Sequence, residues 1–100
     1  MRKRDKKTEK TIRETLTIVC EIALQQFSGF SWLTHTVNYQ NFPDSLQVTC
    51  VYQDQEQLIE AIENDDVNQF RLLIKQQLYD AGINLNNIKR QINFDTEGDT

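Results

Sequence analysis

Seven of the eleven basic residues of this 100-residue chain fall within its first thirteen positions: Arg2, Lys3, Arg4, Lys6, Lys7, Lys10 and Arg13. Guanidinium and ammonium groups at this density can pair with phosphates. Each neutralised phosphate releases counterions, so such contact is salt-sensitive and blind to base sequence. Asp5 and Glu9 leave the segment at net +5, whereas the rest of the chain carries four basic and thirteen acidic groups, net −9. No Lys or Arg occurs from Glu14 to Phe70. An acidic body with a basic end can offer only one part of its surface to a polyanion. The partner that fits is nucleic acid or a ribonucleoprotein. The same residues also fit a solubilising tail, or an arm that docks on its own acidic body, on a protein partner or on a second subunit of a homo-oligomer.

Other reactive side chains are few. His35 is the only histidine, and Cys20 and Cys50 are the only cysteines. A Cys–His pair between His35 and Cys50 is conceivable on neighbouring strands, but no third group orients it and no oxyanion site accompanies it. A packed structural histidine is the expected reading. Two Cys and one His without close spacing are not a zinc pattern. Free thiols in a reducing compartment fit Cys20 and Cys50 better than a disulfide. The acidic run Glu60, Glu63, Asp65 and Asp66 lacks the alternating oxygens and glycine of a calcium loop, so helix capping is expected of it. The three glycines are isolated, which excludes a Gly-rich phosphate loop. Phe30 and Trp32 could stack unpaired bases, but burial in the core is the stronger expectation for Trp32. No enzyme activity, cofactor or metal is expected.

The elements that must position these residues can be read from periodicity. From about Thr8, Ile12, Leu16, Val19, Ala23 and Phe27 recur at helical spacing, and Gly29 ends the helix. Phe30–Tyr39 is rich in aromatic and β-branched residues and reads as a strand, with Leu33 and His35 on one face and Trp32, Thr34 and Thr36 on the other. A loop around Pro43 leads to a second strand, Leu46–Tyr52. Asp54 caps the next helix, with Gln57 placed as in a capping box. Asp65 or Asp66 caps another, whose stripe is Val67, Phe70, Ile74, Leu78 and Ala81, and Gly82 terminates it. Ile88, Ile92 and Phe94 suggest a third strand over Ile88–Phe94. The expected core includes Leu16, Val19, Phe27, Val48, Phe70, Ile74, Leu78 and Ile92.

The fold class that follows is α+β, in the order helix-strand-strand-helix-helix-strand, with a three-stranded mixed sheet and helices packed on one face. Residues 1–7 are expected as a basic flexible arm, 8–94 as a single α+β domain and 95–100 as an acidic flexible tail. No apolar run is long enough to span a bilayer and no secretory leader precedes the domain, so a cytoplasmic protein without a membrane partner is expected.

This order resembles the type II KH domain, an RNA-binding fold that clamps the nucleic-acid backbone with a Gly-x-x-Gly loop between its central helices. The resemblance covers residues 8–94 and lies in topology alone. The matching position reads Glu63-Asn64-Asp65-Asp66, with no glycine and three carboxylates, so no phosphate clamp is expected there. The segments MRKRDKK, LTIVCEIAL, GFSWLTHTVNY, FPDSLQV and INFDTE are similar to a family of small proteobacterial proteins labelled "Fis family transcriptional regulator". That label implies DNA binding through a C-terminal helix-turn-helix, whereas periodicity here gives helix, turn and strand. The expected function is a small non-enzymatic regulatory or adaptor protein that contacts nucleic acid or ribonucleoprotein through its basic N-terminus. The alternative is a protein-interaction module, self-associating and without a nucleic-acid role.

Overall fold

A computed structural model describes residues 3–97. Helix α1 spans Lys3–Gln26. Its stripe of Ile12, Leu16, Val19, Ala23 and Phe27 is buried. The helix starts five residues before the expected point near Thr8. Lys and Arg lose little rotamer freedom in a helix, and no Gly or Pro interrupts residues 3–8, so the turns anchored by Ile12 propagate backwards. After Gln26 the chain turns through Gly29 at φ +87°. The Gly29 carbonyl accepts from the Gln53 amide at 2.9 Å.

Strand β1 (Phe30–Thr36) pairs antiparallel with β2 (Gln47–Tyr52), and β2 pairs parallel with β3 (Ile92–Thr96), giving the order β1-β2-β3. The mixed three-stranded sheet and the packing of helices against it agree with the sequence reading. β1 stops at Thr36 rather than Tyr39 because the Asn38 side chain caps a 3-10 turn over Tyr39–Asn41, accepting from the Gln40 amide at 3.0 Å.

Asp54 caps α2 (Gln55–Glu63) as expected, its Oδ1 accepting from the Gln57 amide at 2.9 Å. Helix α3 (Asp66–Asp80) buries Phe70, Ile74 and Leu78. Its end at Gly82, φ +91°, is a Schellman-type stop: the Ile83 amide donates to the Leu78 carbonyl at 2.8 Å. Its start departs from expectation. Asp65 sits in the left-handed region at φ 67° and makes no side-chain cap. Its carboxylate instead accepts from Asn68 Nδ2 at 2.7 Å.

The expected third strand divides in two. Ile88–Gln91 forms a single helical turn, α4, and β3 begins only at Ile92. Ile88 and Ile92 are four residues apart, a spacing that suits helix as well as strand. The deciding residue is Gln91, which is 1% exposed. Its Oε1 accepts from the Asn87 amide at 2.9 Å, and its Nε2 donates to the carbonyls of Pro43 at 2.9 Å and Leu46 at 3.2 Å. This one side chain therefore ties α4 to the loop that leads into β2.

The core lies between sheet and helices, and Phe70 is central to it. Its ring stacks on Phe27 at 4.7 Å and meets Phe30 and Phe94 edge-on at 4.9 and 5.7 Å. All eight residues expected in the core are buried. The other sheet face displays Trp32, Thr34, Thr36, Gln47, Thr49, Asn93 and Asp95. Among the described residues no helix is long and apolar enough to cross a membrane.

Candidate nucleic-acid interface

The basic residues are organised by the register of α1. At about 100° per residue, positions 6, 7, 10 and 13 fall within an arc of roughly 120° on the side away from Ile12. Ile12 and Leu16 are buried against the body, while Lys6, Lys7, Lys10 and Arg13 are all exposed. The core contact thus fixes which way the cations point. At 1.5 Å per residue, Lys6 to Arg13 spans about 10 Å of helix. Lys3 and Arg4 lie in the first turns of the same helix, and Arg2 lies outside the described residues.

Few local contacts neutralise this face. Lys10 reaches Glu14 at 4.0 Å, with both side chains about two-thirds exposed. An exposed pair at that distance contributes little. Of the stripe, only Lys6 lies within the first turn of α1, the positive end of the helix dipole, where a cation is unfavourable by roughly 0.3–1 kcal/mol at low salt.

The other candidate groups lie elsewhere. Phe30 and Trp32 do not form a joint stacking platform. Phe30 pairs with Tyr52 and Trp32 with Val51, so two residues of β1 oppose one step of β2. This bulge turns Phe30 into the core, at 4% exposure, and leaves Trp32 outside at 45%. The expected burial of Trp32 is corrected accordingly. Its indole N–H donates to Glu97 Oε1 at 3.3 Å, and Ser31 Oγ donates to Glu97 Oε2 at 2.9 Å. Trp32 shields Val51, which explains a 5% exposed valine on the open face. With Glu97 bonded to it and Asp95 two strands away across Val51, the indole sits in a field that repels phosphate.

His35 lies opposite Val48, whereas Cys50 lies opposite Leu33. Burial pushes the Cys50 thiol well above its usual range, which works against a thiolate nucleophile. Cys20 is also raised, by burial and then by Glu21. Both cysteines are free. Burial lowers the His35 pKa; Glu9 raises it and Arg13 lowers it by smaller amounts. His35 therefore lies near the inner end of the basic stripe. Among the described residues no three His, Cys, Asp or Glu side chains converge to hold a metal ion.

Sequence reasoning did not single out Arg71 for a structural job. Its Nε donates to the Ile92 carbonyl at 3.4 Å and its guanidinium lies 5.2 Å from the Phe94 ring centre. It braces β3 rather than facing solvent as a free cation. Its place on α3 three residues before the core position Ile74 was the available signal.

No protein-family model, curated protein or solved structure matches the chain at a significant level.

Proposed function

We propose that this is a small non-enzymatic regulatory or adaptor protein that contacts nucleic acid or ribonucleoprotein through the basic face of α1. The observation that carries this reading is the display of Lys6, Lys7, Lys10 and Arg13 on one exposed helix face, held in register by buried Ile12 and Leu16. The contact is electrostatic and end-on, because the remaining surface is acidic and turns a polyanion away. Phosphates are its ligands, and base identity matters little. The resemblance of its element order to type II KH domains suits an RNA partner, but the contact surface proposed is α1 and not the acidic segment 63–66.

Fluorescence anisotropy with mixed-sequence 20-nucleotide RNA and DNA tests this. Binding should weaken between about 50 and 200 mM salt with a log–log slope near −3.5 to −4.5, for about five neutralised phosphates. Reversing Lys6, Lys7 and Lys10 to Glu should remove binding while leaving the melting temperature within a few degrees. Retained affinity in that variant, or no binding by the parent protein at 50 mM salt, would remove nucleic acid from the reading.

A further inference from the structure

We propose that a second copy of this chain docks along the free edge of β1, joining two sheets into one across a two-fold axis near Thr34. Among the described residues β1 pairs only with β2, so its other edge presents backbone donors and acceptors with no strand partner there. Such edges recruit another strand unless charge, proline or a cover blunts them. The sequence of β1, Phe-Ser-Trp-Leu-Thr-His-Thr, contains no Lys, Arg, Asp, Glu or Pro. The opposite edge of the sheet is protected: Arg71 donates to the Ile92 carbonyl of β3, and Asp95 adds a charge to that strand.

The surroundings of the β1 edge complement themselves. A groove between α1 and β1 is lined by Arg13, Thr17 and Glu21 of the helix and by Leu33, Thr34 and His35 of the strand. In an antiparallel pairing about Thr34, Leu33 of one copy lies opposite His35 of the other, so both fill the inward side of the seam. Arg13 and Glu21 sit four residues either side of Thr17, and all three line this groove. A two-fold axis there brings Arg13 of each copy towards Glu21 of the other, giving two opposite-charge pairs. Helices packed at the usual 8–10 Å allow both contacts. Charge complementarity of this kind selects a second copy over an unrelated strand. The inference shares Arg13 with the nucleic-acid reading but rests on the free edge of β1 and not on the basic stripe.

Sedimentation of the full chain from 10 to 500 μM tests it. The expected species is a dimer of twice 11.8 kDa, with concentration-dependent amide protection confined to residues 31–36. Thr34→Lys places like charges across the axis from an exposed position and should weaken dimerisation at least tenfold, with an unchanged circular dichroism spectrum. Arg13→Glu should weaken it similarly, and the swap Arg13→Glu with Glu21→Arg should restore it to within about threefold. A monomer at every concentration overturns the proposal. So does a dimer indifferent to Thr34→Lys, or a charge swap that fails to rescue.

Discussion

Replacing Phe70 with Ala removes the ring at the centre of the core, and its cost can be worked from the contacts. Phe70 is fully buried. Its ring touches Phe27 from the end of α1, Phe30 from the start of β1 and Phe94 from β3, at 4.7, 4.9 and 5.7 Å. Burial and cavity together make a Phe→Ala change cost about 3–5 kcal/mol. Ring pairs add roughly 0.5–1.5 kcal/mol each beyond area. The three neighbours are held by separate elements and cannot collapse together into the void, so the upper end of the range, about 4–5 kcal/mol, is expected. That is a large share of the roughly 5–15 kcal/mol available to a domain of this size. Phe70→Leu keeps most of the volume and should cost only about 1–2 kcal/mol. Urea unfolding followed by circular dichroism and by Trp32 fluorescence measures both, provided the m-value is unchanged. An Ala cost below about 1.5 kcal/mol, or a Leu cost equal to it, would refute the central placement of this ring.

Gln91→Leu keeps shape but strips the buried amide from the carbonyls of Pro43 and Leu46 and from the Asn87 amide; a loss of about 2–4 kcal/mol in chemical denaturation is expected, and a neutral result would mean the amide is not buried there. Both Gly29→Ala and Gly82→Ala force an L-residue to positive φ, at roughly 1–2 kcal/mol. A Cβ on Gly29 would also stand 2.6 Å from Gln57 Oε1, whereas Gly82 has nothing within 4 Å, so Gly29→Ala should be the more damaging by thermal melting, and the reverse order would contradict the packing. Burial holds the His35 pKa below 6.5, so the folded state binds its proton less readily than the unfolded chain. The stability His35 contributes is therefore complete above that value and is lost as pH falls through the lowered pKa. NMR titration of the imidazole should give a midpoint below that of a free histidine, and a higher midpoint would overturn the assignment.

Much of the fold was legible because period and burial agree. The α1 and α3 stripes, the Asp54 cap and the Gly82 stop follow local rules that tertiary structure did not override. The features that escaped depend on contacts distant in sequence. Trp32 alternates to the open face, but its size argued for burial, and the bulge that separates it from Phe30 exists only through pairing with β2. Ile88 and Ile92 suit two periods, and the choice was made by Gln91 meeting a loop more than forty residues earlier. Asp65 or Asp66 was expected to cap α3, but Asp66 is already the first helical residue and the left-handed backbone of Asp65 turns its carboxylate towards Asn68 instead. Of the candidate site, the cluster of cations was visible from composition. Its display on one face was not, because the helix start was placed too late for Lys6 and Lys7 to share a register with Ile12.

The claim that α1 is the contact surface is tested most directly by an NMR titration of the labelled protein with a short single-stranded RNA at low salt. Amide shifts should concentrate at residues 3–14 on the exposed side of α1 and collapse when salt is raised. Shifts centred on Trp32 and the open sheet face, or on residues 63–66, would contradict the account.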